Sequence, residues 1–260
     1  VYKRQIRDSL RGKTPQDWDI ATNALPAQIV RCFSSYRLVQ DGMAHGTVGV
    51  VLGQEVYEIT TYRVDGAYSD SRHPDKVTFT GALKKDLARR DFTINAMAYG
   101  EKEGIIDCFG GREDLEKHRI RCVGNAQKRF EEDALRMLRA LRFASVLSFS
   151  IEAKTAQAIH LKKALLTRVS LQRCAKEIHM LLMGKNVGAV LRQFGDVLAV
   201  CIPELKPMLH FDQNTPYHNL SLWEHTVTAI EAIKPQEDLR LAMLLHDIGK
   251  PAVQTTDAQG

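Results

Sequence analysis

Phe130-Glu131-Glu132-Asp133-Ala134-Leu135-Arg136-Met137-Leu138-Arg139-Ala140-Leu141-Arg142-Phe143 reads as one amphipathic helix. Leu135, Leu138 and Leu141 are apolar at helical spacing, and Asp133, Arg136, Arg139 and Arg142 recur every third residue beside them. Three-residue steps advance about 300° each on a helix, so the charged row winds slowly and Arg142 ends far from the sector of Asp133. Asp133 and Arg136 are one turn apart, near enough to hold each other rigid. A carboxylate and a guanidinium fixed in one plane offer both an acceptor and donors to the edge of a base. Taken alone, such charges ordinarily mean a solvated, salt-bridged face. The rest of the chain argues for more.

Downstream of this stretch the pattern is helical throughout: Phe130 to Leu147, Ala153 to Leu166, Leu171 to Met183 and Val187 to Phe194. Upstream it is mixed. Ala24 to Phe33 and Ile6 to Leu10 are helix-like. Gly46 to Val51 and Glu55 to Tyr62 read as two strands joined by a turn at Leu52-Gly53-Gln54. Strands are expected to stop after Ile120. An α/β front followed by an all-α back argues for separate modules.

The front holds several groups capable of chemistry. Asp17 and Asp19 alternate around Trp18, which in a strand sends both carboxylates to one face. Like charges that close repel unless a cation lies between them, although D-x-D is also common in turns. Val56, Glu58 and Thr60 share a strand face, and a carboxylate there suits a site or a protected sheet edge equally well. Asp86-Leu87-Ala88-Arg89-Arg90-Asp91-Phe92-Thr93-Ile94-Asn95-Ala96-Met97 is dense in function-capable groups, and its two adjacent arginines could grip phosphates. Arg63 to Pro74 is polar, contains Gly66 and Pro74, and is expected to be a mobile loop, and Asp107 to Leu115 is turn-like. Near the far end, His225 precedes Leu241 to Pro251, where His246-Asp247 is expected inside an apolar helix. Imidazole and carboxylate suit divalent transition metals, although a lone histidine there is ordinarily a hydrogen-bonded core residue.

Composition narrows the class without choosing within it. The 260 residues suffice for two or three domains. With 44% hydrophobic and 26% charged residues, the chain has the make-up of a globular protein. A formal charge of +5 permits an anionic partner such as nucleic acid without requiring one. The five cysteines form no C-x-x-C pair, which argues against a structural zinc or disulfide framework and for reduced thiols in a cytoplasmic setting. No apolar run reaches the roughly 20 residues of a membrane span.

These blocks resemble the bacterial class II tRNA nucleotidyltransferases (CCA-adding enzymes) and the related bacterial poly(A) polymerases. The residues that carry the resemblance run through six blocks in the family's order: Arg7-Asp8 with Asp17-Trp18-Asp19-Ile20-Ala21-Thr22, Tyr57-Glu58-Ile59-Thr60-Thr61, Arg89 to Ala96, Asp107 to Leu115, Arg129-Phe130 with Glu132-Asp133-Ala134-Leu135-Arg136, and Arg142-Phe143. The chain departs from the family at two places. Tyr2-Lys3-Arg4-Gln5 stands where the family has a glycine pair, and His225 and His246-Asp247 resemble the opening of an HD phosphohydrolase module without its later aspartate. The chain is therefore expected to be a piece of a longer one, lacking the extreme N-terminus and most of an HD-like module.

The resemblance implies an α+β fold in three parts. Residues 1–120 would form a nucleotidyltransferase head of the polymerase-beta type, 121–185 a helical neck that binds base and RNA, and 186–260 a helical body with the start of the HD-like region. It implies Asp17, Asp19 and Glu58 as catalytic carboxylates, Asp17 and Asp19 being the Mg²⁺ ligands. Arg7, Asp8, Arg90, Asn95, Asp133, Arg136, Arg139 and Arg142 would bind nucleotide, with Asp133 and Arg136 reading the base. The loop from Arg63 would help switch from C to A addition. The expected partners are CTP, ATP and the tRNA acceptor stem and 3′ end, with no membrane. Three readings compete: poly(A) addition, a metal-dependent phosphohydrolase built on His225, His246 and Asp247, and an inactive RNA-binding relic, suggested by the missing glycine pair.

Overall fold

The computed structural model describes residues 5–14, 19–66, 77–212 and 220–253. Contacts divide the chain into two compact units, Val1–Lys117 with Arg121–Glu132, and His118–Ile120 with Asp133–Gly260. The fold is α+β: a small mixed sheet with helices in the first unit, and helices with one short ladder in the second.

The first unit opens with α1 (Gln5–Leu10), β1 (Asp19–Thr22), α2 (Pro26–Cys32), β2 (Arg37–Val39), β3 (Thr47–Leu52) and β4 (Glu55–Thr61). The sheet order is β1-β4-β3-β2, with β1 parallel to β4 and the other pairs antiparallel. The β3–β4 hairpin pairs Leu52 with Glu55, so the turn is Gly53-Gln54, and Gly53 takes the left-handed φ of +63° that such a turn needs. Alternation then sorts the two faces. Val48, Val50 and Ile59 are buried with Ile29 of α2, and Ile20, Val30, Phe33 and Leu38 pack against them. The opposite face carries Glu58, which is exposed, and Asp19, which is half-buried.

The chain continues through β5 (Arg63–Asp65), β6 (Val77–Phe79), α3 (Leu83–Ala88), β7 (Met97–Gly100), β8 (Gly104–Asp107) and α4 (Gly111–Glu116). Leu87, Ala96, Ala98 and Val123 form a second apolar cluster, with Ile106 and Phe109 against it. The expected loop at Arg63 begins instead as a strand. Arg63, Val64 and Asp65 pair with Phe79, Thr78 and Val77, because ladder hydrogen bonds satisfy backbone that a loop would leave to water. Residues 67–76 lie outside the described part.

The stretch expected to be turn-like at Asp107 is a turn that starts α4. The Asp107 carboxylate accepts from the backbone N–H of Phe109 (3.2 Å), Gly111 (2.9 Å) and Arg112 (2.9 Å). Burial pushes its pKa up, but these N–H donors outweigh burial and hold it below the ordinary 3.8. The folded state therefore gains stability from the charged form above about pH 4 and loses it as pH falls through the lowered value. Asp107→Asn should cost about 1 kcal/mol at pH 7, the scale of a lost helix cap. Thermal melts at pH 7 and pH 3 check this, since the gap to the parent should narrow in acid.

The first unit ends with α5 (Ala126–Glu132). The second holds β9 (Arg119–Ile120), α6 (Leu135–Leu147), β10 (Ser150–Ile151), α7 (Ala153–Lys162), α8 (Leu171–Leu182), α9 (Val187–Cys201), α10 (Leu222–Ala232), α11 (Glu237–Leu245) and α12 (Lys250–Val253). The single helix expected from Phe130 to Leu147 is thus two, broken at Asp133-Ala134. The Asp133 side chain accepts from the Leu135 N–H at 3.1 Å, and an aspartate that takes a nearby backbone donor favours a helix start over a helix interior. Strands do not stop at Ile120 either: β9 pairs in parallel with β10. The helix expected to end at Phe194 runs to Cys201, with Phe194 at a kink (φ −127°).

α6 is buried far more than an amphipathic surface helix. Leu135, Met137, Leu138, Ala140, Leu141 and Ala144 are all buried, and so is Arg136. Its far end is locked to the end of α8. Ser145 Oγ donates to the Leu181 carbonyl at 2.7 Å, and a Cβ at Gly184 would lie 2.0 Å from that Oγ. Arg240 of α11 donates to the Leu182 and Gly184 carbonyls, satisfying acceptors that the end of α8 leaves open.

Candidate active site

The carboxylates of the first unit come from two neighbouring strands. Asp19 of β1 is in register with Glu58 of β4, and register mates on parallel strands project to the same face. That face is open, while Ile20 and Ile59, one residue on, turn to the core. Adjacent strands lie about 4.8 Å apart, so two carboxylates face each other where like charges repel. The donor set is oxygen only, which suits a hard divalent cation. Asp17 lies outside the described residues.

A second group gathers residues about 90 positions apart in sequence. The buried Arg7 donates from Nη1 to Asn95 Oδ1 (2.8 Å), and from Nε and Nη2 to the two oxygens of Asp8 (2.9 Å each). Asn95 Nδ2 donates to Asp91 Oδ1 at 3.1 Å, and Arg90 Nη1 donates to the Asn95 carbonyl at 3.2 Å. Arg7, Asp8, Arg90 and Asn95 are therefore one network, completed by Asp91. Such a network holds a guanidinium and an amide at fixed angles.

The same function-dense stretch opens with a buried carboxylate that has a separate role. Asp86, fully buried, accepts from the Arg63 N–H (3.2 Å) and from Arg89 Nε and Nη2 (3.2 and 3.1 Å), while Arg89 Nη1 reaches Asp65 at 3.2 Å. Arg89 thus clamps β5 to α3. In the adjacent Arg89-Arg90 pair, one arginine is structural and the other joins the network around Asn95.

In the second unit, the row on α6 meets a complementary row on α8. Arg173 Nη2 donates to both oxygens of Asp133, at 3.4 and 3.3 Å. The buried Glu177, one turn later, sits 3.2 Å from Arg142 Nε and 4.0 Å from Arg139 Nη1. Arg142 also lies over the Phe143 ring at 4.4 Å. The helical drift that separates Arg142 from Asp133 in sequence is real, and each end of the row has its own partner. Arg173 and Glu177 were overlooked in the sequence. The signal was Glu177 itself, a carboxylate among the apolar Cys174, Ile178 and Leu181 of one helix face.

At the far end, His225, His246 and Asp247 bring their ligand atoms within 4.8 Å of one another. His246 Nε2 is 3.4 Å from His225 Nε2 and 3.2 Å from Asp247 Oδ2. The histidine–aspartate pair is not inside a helix, as expected, but in the turn after α11. The turn leaves His246 exposed, while Asp247 beside it is largely buried. Lys250 Nζ, 2.7 Å from Asp247 Oδ2, already neutralises that carboxylate.

Comparison with known proteins follows the same division. Residues 5–121 match the family described as poly A polymerase head domain, and 148–209 match a probable RNA and SrmB-binding site of polymerase A. The CCA-adding enzyme of Pediococcus pentosaceus is 46% identical over 202 residues, 78% of this chain and 50% of that one. That of Enterococcus faecalis is 50% identical over 181 residues, 70% of this chain and 44% of that one. The chain thus spans about half the length of the curated relatives it matches. The structure of the Bacillus stearothermophilus CCA-adding enzyme in complex with CTP superposes with a TM-score of 0.78 at 37% identity, covering 97% of this chain and 58% of that one. The Thermotoga maritima CCA-adding enzyme complexed with tRNA gives 0.60 at 26% identity, covering 97% and 66%.

Proposed function

The chain belongs to the family of poly A polymerase head domains and class II CCA-adding enzymes, and from that premise we propose that it adds C, C and A to the 3′ end of tRNA from CTP and ATP. The observation that carries this is the Asp19–Glu58 register pair on the open face of the sheet. The family depends on divalent metal, and Mg²⁺ is the proposed ion, held by Asp19, Glu58 and Asp17. A cation held by these carboxylates would supply positive charge to the attacking RNA 3′-hydroxyl and to the departing pyrophosphate. The chain's own residues do the rest. Arg7 and Arg90, oriented through Asn95 and Asp91, hold triphosphate and ribose. Asp133 and Arg136 take the place of a template base. Arg139 and Arg142 support that reader, and the helices from α6 onward grip the acceptor stem through its phosphates without reading its sequence. In this reading 1–120 is the head, 121–185 the neck and 186–260 the body, acting in the cytoplasm. Among the described residues no helix is long and apolar enough to cross a membrane.

Incorporation on tRNA lacking its 3′ end tests the proposal. CTP alone should extend the RNA by two residues, and ATP should complete it. Extension with ATP and none with CTP would establish poly(A) addition instead. Deletions within residues 67–74 should spare C addition and cut A addition about tenfold or more, the scale of one lost positioning contact. They should leave β5 intact, because Asp86 and Arg89 hold it. Equal loss of both activities would make the segment a general folding element.

The His225–His246–Asp247 cluster supports a second activity, metal-dependent phosphohydrolysis. Metal analysis with a phosphodiesterase assay tests it, and hydrolysis that survives His246→Ala would end that reading.

A further inference from the structure

Two thiols of the second unit meet where α8 packs on α9. Cys174, near the start of α8, is 3% exposed, and Cys201, the last residue of α9, is partly exposed. Their side chains are hydrogen-bonded to each other, and both are free thiols. We propose that this pair is a redox site: a peroxide closes it to a disulfide that clamps α8 to the end of α9, and a thiol reductant opens it again.

A single buried cysteine behaves as a small apolar residue and needs no further account. Two that touch from different helices form a dithiol, which can take either a metal or an oxidant. A structural zinc takes four ligands, and among the described residues no third His, Cys, Asp or Glu gathers with this pair. Oxidation needs only the two sulfurs and one of them as thiolate. The hydrogen bond from Cys201 holds the Cys174 thiol below its ordinary 9.0, aided by the charge of Arg173 and opposed by burial, and the same contact pushes Cys201 up. Cys201 at the surface gives a small oxidant access to the pair. The peroxide takes one thiol to a sulfenic acid and is itself reduced to water. The second thiol then attacks that sulfur and expels another water as the S–S bond forms. Two thiol hydrogens are lost in all, and the thiols of a reducing cytoplasm reverse the step, as is usual for a sensing disulfide there.

A disulfide holds its sulfurs about 2.05 Å apart, closer than two hydrogen-bonded thiols stand, so closure draws the start of α8 toward the last turn of α9. Arg173 and Glu177 of α8 meet Asp133 and Arg142. Oxidation at Cys174 is therefore expected to slow nucleotide incorporation, a half of the inference that rests on the CCA-adding reading.

The test treats the protein with hydrogen peroxide, blocks remaining thiols with iodoacetamide, and maps the peptides by mass without reduction. The parent should give a Cys174–Cys201 linked peptide that dithiothreitol removes. Incorporation on tRNA lacking its 3′ end should fall about fivefold or more and recover with dithiothreitol, since a displacement of about 1 Å can cost 10²-fold. Cys201→Ser should match the reduced parent in rate and in thermal melt, and should keep that rate through peroxide. The exposed Cys32 and Cys108 remain in that variant as internal controls. Cys174 and Cys201 both recovered alkylated after peroxide would overturn the site. A mapped link with unchanged incorporation, or equal slowing of Cys201→Ser by peroxide, would overturn the switch. No incorporation by the reduced parent would overturn the CCA-adding reading and the switch with it, whereas the mapped link would still uphold the redox site.

Discussion

Asp19→Ala should abolish nucleotide incorporation, by about 10³-fold or more, while binding of tRNA survives. A loss of that size corresponds to roughly 4 kcal/mol of transition-state stabilisation, within reach of a lost metal ligand. The argument starts from register. Asp19 and Glu58 are Cα partners on parallel strands, so both carboxylates stand on the open face while Ile20 and Ile59 fill the core. The competing explanation is negative protection of a sheet edge. β1 is the outer strand of the order β1-β4-β3-β2, and charges at edges discourage pairing with another chain. The two views separate cleanly. An edge guard can be replaced by asparagine with activity intact, whereas a metal ligand cannot. Removing one of two facing like charges should leave the melting temperature unchanged or raised. Incorporation assays, a tRNA-binding titration and thermal melts on Asp19→Ala and Asp19→Asn decide it. Near-parent rates in both variants would mean that the carboxylate pair has no part in catalysis.

Asp133→Ala should keep the fold and tRNA binding but erode discrimination against UTP and GTP by about 5- to 150-fold, the equivalent of roughly 1–3 kcal/mol for one unpaired buried group. Cytosine and adenine both present an amine beside an acceptor, and uracil and guanine present the reverse order. One carboxylate beside one guanidinium accepts the first pair and refuses the second. Arg136 is buried at the start of α6, and Asp133 is tied to α8 through Arg173, so neither is a loose surface charge. Were they an ordinary surface ion pair, worth about 0–1 kcal/mol, the variant would keep its preference. The ratio of CTP to UTP incorporation distinguishes the cases, and an unchanged ratio would leave this helix a structural neck.

Much of the molecule was legible in one dimension because its signals are local. The β3–β4 hairpin follows from two alternating runs around Gly53, and α8 from its 3.6-residue apolar stripe. Leu135, Leu138 and Leu141 were readable as core for the same reason, and all three are buried. The candidate residues themselves were quoted from the chain because carboxylates and arginines in those blocks resemble a family. Local signals also misled. The run from Phe130 to Leu147 has helical spacing throughout, yet Asp133 takes a backbone donor and breaks it. Arg63 looked like loop because a strand three residues long leaves no periodicity to read.

By itself, then, the sequence determined the element types with long periodic patterns, the order of an α/β front before a helical back, and the inventory of chemical groups. Tertiary structure alone decided which groups meet. Spacing within the chain does not reveal that Arg7 meets Asn95, 88 positions on, or that Asp133 meets Arg173, 40 positions on. Nor does it reveal that Glu177 would brace two arginines of another helix. Pairings of that kind depend on how sheets and helices pack. A buried charge must find its partner wherever the fold brings one, because leaving it alone in the interior costs more than any local preference supplies.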